Sequence, residues 1–125
     1  MRSCKGSGKS RSDVSCAVSS MSRSFMVPVS VKLRLCQPNV KTLEFSRRLE
    51  GCGASWLTLH ARTVSARRRR QGAADLSEVK RLKEGLSIPV ISNGNVRNHA
   101  DLHHNLTLTG ADGLMVGETL LGNPW

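Results

Sequence analysis

The 125-residue chain has stretches in which an apolar run ends on residues able to hold a ligand. From Val29 to Leu35 it alternates strictly, with Val29, Val31, Leu33 and Leu35 on one face and Ser30, Lys32 and Arg34 on the other. In a barrel the apolar face packs outward against helices. Polar residues near the strand's carboxyl end look into the active site, which places Lys32 and Arg34 where a ligand would lie. Trp56-Leu57-Thr58-Leu59-His60 repeats the alternation and ends on His60. Ile88-Pro89-Val90-Ile91-Ser92 is the short β-branched run of a buried parallel strand. It stops on Asn93-Gly94-Asn95, where the backbone can turn tightly and expose N–H groups, so this loop is a candidate anion or cofactor cradle. A fourth run, Gly113-Leu114-Met115-Val116-Gly117, ends on glycine.

The elements that must position these residues follow from the spacing. Strands begin near residues 29, 56, 90 and 113, separated by helical segments. Residues 40–52 carry Leu43, Leu49 and Cys52 at helical spacing, and Leu76, Val79, Leu82 and Leu86 form an apolar stripe behind an Asp75-Leu76-Ser77-Glu78 capping box. Asn98 can cap a further helix with Leu102 and Leu106 inward, closed by Gly110. Strand spacings of 27, 34 and 23 residues suit β/α units with a parallel sheet and helices outside. The expected fold class is α/β, a partial TIM (β/α)8 barrel of about four units. A complete barrel takes roughly 250 residues, so this is half of one, with two open strand edges.

Composition narrows the partners. A net charge of +10 favours polyanions, nucleic acid ahead of an acidic membrane surface. Residues 1–27 contribute +4 of it, leaving +6 for the rest. Residues 1–25 read as a basic, Ser-rich leader, either disordered or one short helix marked by Val14, Ala17, Val18 and Met21. Gly6-Ser7-Gly8-Lys9-Ser10 ends like a phosphate-binding loop but lacks the first glycine and a preceding strand, so a basic tail is the preferred reading. The widely spaced Cys4, Cys16, Cys36 and Cys52 fit free thiols in a reducing compartment. No apolar run has the length of a membrane span, and a cytoplasmic location is expected, nuclear or mitochondrial placement being the alternatives. His99, His103 and His104 share one helix without a third ligand of fitting type, so they are expected in solvent and no metal is expected. Arg67, Arg68, Arg69 and Arg70 follow the His60 strand on the presumed ligand face, where RNA phosphates and bulk water are equally good partners.

Taken together, Pro28 to Arg34, Leu57 to Thr63, Ile88 to Val96, and Gly113 to Gly117 with Leu121-Gly122-Asn123-Pro124 resemble the tRNA-dihydrouridine synthases, in order and at suitable spacing over residues 26–125. The resemblance implies an FMN-binding barrel, with this chain supplying strands five to eight. It also implies NADPH as reductant and tRNA uridine, reduced to dihydrouridine, as substrate. Carried over, it makes Lys32 the contact to the flavin's pyrimidine edge and His60 the histidine near the flavin. Asn93, Gly94 and Asn95, with Gly117 and Glu118, become the loops around the FMN phosphate. Arg34 and Arg62 would face the substrate uridine or the RNA backbone.

The departures carry expectations of their own. Ala61 stands where the family has glycine. Glu118 stands where arginine is common, which resembles the eukaryotic tRNA-dihydrouridine(16/17) synthase subfamily and leaves phosphate binding to backbone N–H groups. The family's general acid is a cysteine in a Gly-Cys-Pro segment on an earlier strand. No such segment occurs here, and Cys36 reads as a plain loop thiol, so no catalytic residue is assigned and the chain alone is expected to be inactive. The alternatives are another FMN barrel oxidoreductase, such as a dihydroorotate dehydrogenase relative, and a non-enzymatic basic RNA-binding protein.

Overall fold

A computed structural model describes residues 11–64 and 72–122, so the four-arginine run and the Gly6-Ser10 stretch lie outside the described residues. Four parallel strands, β1 (Ser30–Leu35), β2 (Trp56–Thr63), β3 (Val90–Asn93) and β4 (Gly113–Met115), form one sheet in the order β1-β2-β3-β4. Helices α2 (Val40–Gly51), α3 (Leu76–Gly85) and α4 (His99–Thr109) join consecutive strands, and α1 (Arg11–Phe25) precedes them. Each β-helix-β step takes the chain to the adjacent strand, and the sheet is part of a (β/α)8 barrel.

One strand parity supplies the core. Val31, Leu35, Leu57, Leu59, Ala61 and Val90 are buried with Phe45 and Leu49 of α2 and Leu76, Val79 and Leu82 of α3. Val18 of α1 joins this cluster, Val14 packs against it, and Met21 is exposed. The guanidinium of Arg11 lies over the Phe45 ring, 5.6 Å from its centroid. Polar links fasten the layers where apolar contact ends. Glu50 Oε1 accepts from Ser87 N at 2.7 Å and Ile88 N at 3.1 Å, tying α2 to the entry of β3. Asp112 does the same for β4, accepting from Val90 N at 2.8 Å and pairing with Lys83 Nζ at 2.8 Å.

Several local expectations are corrected. Asp75 caps α3 by accepting from Ser77 N at 3.1 Å, but no reciprocal bond comes from Glu78, whose carboxylate pairs with Arg81 at 3.2 Å. The Asp75 N–H that would complete the box donates to Ala61 O at 2.7 Å instead, which leaves the Glu78 carboxylate to the arginine one turn on. The cap on α4 is complete: Asn98 Oδ1 accepts from Asp101 N, and the Asp101 side chain accepts from Asn98 N. Its inward face differs from the expected one. Asn105 and Thr109 are buried, whereas Leu106 is 37% exposed. The helix turns its polar stripe inward because Asn105 Nδ2 donates to the Gly94 carbonyl at 3.1 Å, and Thr109 Oγ1 donates to Asn105 O at 2.7 Å. Strand β4 stops at Met115, two residues before Gly117. Cys36 does stand in the loop after β1, and it is buried there, where Thr42 Oγ1 accepts its backbone N–H at 3.0 Å and folds the loop back.

Candidate functional site

Register places the candidate residues on one rim. Arg34 pairs with His60, His60 with Asn93, and Asn93 with Met115, so a single row crosses all four strands at or beside the last residues of β1, β3 and β4, while β2 runs on to Thr63 instead of ending on His60 as expected. Lys32 lies two residues below Arg34 on the same face of β1, opposite Thr58. Above this row a cavity of about 320 Å³ is lined by Lys32, His60 and Arg62 on one side and by the loops after β3 and β4 on the other.

The β3 loop is held open by its own side chains. Gly94 has φ +128°, and a Cβ there would lie 2.7 Å from Ala74 Cβ, so both conformation and space call for glycine. Asn95 follows in the left-handed region at φ 58°, which asparagine tolerates better than most residues. Its side chain accepts from Ala74 N and donates to Ala74 O, both at 2.7 Å, copying the pattern of a neighbouring strand. Asn95 therefore lines the cavity, but its amide is committed to holding the segment before α3. Asn93 Nδ2 donates to Met115 O at 2.6 Å, joining the ends of β3 and β4. Thr119 Oγ1 donates to Val96 O at 2.7 Å, so the short 3-10 helix Glu118–Leu121 is tied to the same wall.

The charge on the rim is one-sided. No Asp or Glu occurs among the described residues lining the cavity, which include Lys32, Arg62 and Arg97. Arg62 Nε is buried and has no hydrogen-bond partner among the described residues. Burial first, and then the charges of Arg34, Arg62 and Lys32, hold the His60 pKa below 6.5, so the imidazole is neutral at pH 7. Lys32, Arg62 and Arg97, which have no ion pair among the described residues, can together bind an anion without a competing carboxylate in the lining, and the set fits a phosphate-bearing cofactor.

Of the residues singled out from the sequence, Lys32, His60, Arg62, Asn93, Gly94, Asn95 and Gly117 share this cavity. Arg34 belongs to the same row but stands outside the lining, with Nη1 donating to Thr63 O at 3.2 Å. Glu118 begins the 3-10 helix beside it. Arg97 and Thr119 were not singled out. Arg97 is the second residue after the Asn-Gly-Asn turn and directly precedes the Asn98 cap, so the turn and the cap together point to it. His99, His103 and His104 are exposed, the rings of His99 and His103 meeting edge to face at 5.0 Å. Among the described residues no group of three or more His, Cys, Asp or Glu is placed to hold a metal, and no helix is long and apolar enough to cross a membrane.

Comparison with solved structures finds the same fold in a mandelate oxidase, with TM-score 0.56 and 16% identity over 83% of this chain and 42% of that one. Among curated proteins, a Mus musculus tRNA-dihydrouridine(20a/20b) synthase-like protein is 36% identical over 96 residues, 77% of this chain and 29% of the relative. The Pasteurella multocida tRNA-dihydrouridine synthase B is 39% identical over 105 residues, 82% of this chain and 31% of the relative. The chain thus spans about three-tenths of the length of these relatives. The mouse relative is named for positions 20a/20b, and what these relatives share with this chain is the family. The sequence profile described as Dihydrouridine synthase (Dus) matches residues 9–125, taking in α1 and all four β/α units. The chain belongs to the dihydrouridine synthase family.

Proposed function

We propose that this chain forms the cofactor-phosphate half of the flavin barrel of a tRNA-dihydrouridine synthase, an enzyme that reduces tRNA uridine with FMN and NADPH. The observation that carries the reading is the convergence of Lys32, Arg62, a neutral His60 and the Gly94 and Gly117 loops on one cavity at the carboxyl ends of parallel strands, in a chain of this family. Ligands of β/α barrels bind at that end, and phosphates favour the loops after the last two strands.

Each residue has a task that its setting supports. When bound, FMN supplies the hydride chemistry. The Lys32 ammonium, with no partner among the described residues, is free to balance negative charge at the flavin's pyrimidine edge. His60 contacts the ring system as a neutral hydrogen-bonding group and adds no further cation to a crowded rim. Gly94 and Gly117 let the backbone approach the ligand, and Asn93 and Asn95 hold their loops in place. Arg62 faces the uridine or the RNA backbone, with Arg34 bracing the end of β2 beneath it. Arg67 to Arg70 are assigned to tRNA phosphates by their position in the sequence after β2.

Titrating the purified chain with FMN, following flavin absorbance and fluorescence, tests this reading. Loss of one charge-assisted contact in Lys32→Ala should weaken binding about tenfold to a hundredfold. A folded chain that binds no flavin, or equal affinity in Lys32→Ala, would overturn the assignment.

A further inference from the structure

We propose that Arg97 is the residue that recognises the phosphomonoester of the bound flavin, and that it sets a preference for FMN over uncharged riboflavin. The proposal rests on the flavin reading above and adds to it a residue that neither the motif pattern nor the family resemblance supplied.

A helix that starts beside a barrel cavity would normally offer its first N–H groups to an anion. The start of α4 does not offer them to this cavity, whose lining includes none of Asn98, His99 and Ala100. Asp101 Oδ2 accepts from Arg97 N at 2.9 Å and from Asn98 N at 3.2 Å, and Asn98 Oδ1 accepts from Asp101 N at 3.0 Å. The carboxylate in the first turn also opposes the positive end of the helix. A phosphate at that position would compete with Asp101 for its donors and be repelled by it. The positive charge for an anion on this side of the cavity must come from a side chain.

Arg97 is that side chain. It lines the cavity and is exposed, and its guanidinium makes no hydrogen bond or ion pair among the described residues. Arg34, Arg47 and Arg81 differ in that each already donates to a backbone carbonyl. Asp101 anchors Arg97 through its backbone N–H, so the root of the side chain is fixed while the planar fork stays available for two-point contact with phosphate oxygens. Thr119 ties the 3-10 helix to Val96, the residue just before Arg97, and braces the same wall. The strand order separates this charge from the other pair: Lys32 and Arg62 belong to β1 and β2, and Arg97 to the loop after β3. Cations at two separated ends suit an elongated ligand with a terminal dianion.

The test is a titration of wild-type chain, Arg97→Gln and Arg97→Lys with FMN and with riboflavin, alongside a tRNA binding assay. The expected result is FMN affinity at least tenfold lower in Arg97→Gln and partly restored in Arg97→Lys, with riboflavin affinity unchanged in both. Unchanged FMN affinity in Arg97→Gln would overturn the proposal and leave the flavin reading standing. Equal losses for FMN and riboflavin would overturn it as a general disturbance of the pocket, and a loss confined to tRNA would assign Arg97 to RNA instead. A wild-type chain that binds neither flavin would remove the flavin reading itself and this proposal with it.

Discussion

Replacing Asn95 with glycine and with alanine separates two contributions to the shape of the cavity wall. The side chain makes two hydrogen bonds of 2.7 Å to the backbone N–H and C=O of Ala74, a buried residue. Each such bond contributes about 1 kcal/mol net, and an unpaired buried partner costs about 1–3 kcal/mol, moderated here because water can reach a half-buried loop. Asn95→Gly should therefore destabilise the fold by about 2–3 kcal/mol. Asn95→Ala loses the same bonds and must also hold a Cβ in the left-handed region at φ 58°, a strain of roughly 1–2 kcal/mol. Glycine's larger entropy in the unfolded chain takes back about half of that difference. Alanine should thus be worse than glycine by about 1 kcal/mol.

Urea unfolding followed by far-UV circular dichroism reads both quantities, provided the slope of the transition is unchanged. If Asn95→Gly were as stable as the wild type, the clamp on Ala74 would contribute nothing. If glycine and alanine were indistinguishable, the backbone at Asn95 would not be strained. A flavin titration of the glycine variant adds a functional readout. Asn95 fastens the loop after β3 to the segment before α3, so affinity should fall with stability.

Other outcomes follow from neighbouring contacts. Gly94→Ala, with its new Cβ 2.7 Å from Ala74 Cβ at φ +128°, should cost about 2–4 kcal/mol in the same assay. Ala74→Gly should recover the steric part but not the backbone part. An NMR titration should place His60 below 6.5, and Arg62→Gln should move its midpoint upward by removing a repelling charge. Because the folded pKa is depressed, the contribution of neutral His60 to stability is present above 6.5 and lost as pH falls through the folded value. Asp112→Asn should destabilise by about 1 kcal/mol, discounted for a side chain 38% exposed. The Asp112 carboxylate is held below 3.8, first by its hydrogen bond from Lys83 and then by Val90 N–H. The gap between variant and wild type should therefore be full above 3.8 and close as pH falls through the folded value.

The strand ends were legible because a buried parallel strand is a short apolar run, and its stop is marked by residues that turn the backbone. Asn93 was found by that rule; His60 lies three residues inside the end of β2 and Gly117 two residues past the end of β4, yet all three line one cavity. The start of α4 was legible because Asn98 is a strong N-cap residue, and the structure adds Asp101 as its reciprocal partner. Its inward face was not. Leu102 and Leu106 mark an apolar stripe, yet the loop after β3 needs a donor at Gly94 O, and Asn105 supplies it from the next helical position. The clamp made by Asn95 was not legible for a similar reason. An asparagine in a turn before a helix has the chemistry of a ligand contact, and the partner that claims it, Ala74, is 21 residues away in sequence.

Lys32, Arg62 and Arg97 line the cavity with no ion pair among the described residues. Lys32, Arg34 and Arg62 all act on His60, and the site responds by keeping the imidazole neutral rather than by supplying a carboxylate. A carboxylate would stabilise the empty rim, but it would then have to be desolvated and displaced when an anion arrived. The available acids are spent elsewhere: Asp101 on the cap of α4, Asp112 on the entry of β4 and Glu50 on the entry of β3. Each of these fastens the scaffold that holds the rim, and none lines the cavity. The division leaves the cations mutually repelling and an anion as the group that relieves them. Binding energy and fold stability are therefore coupled at this site in the same direction.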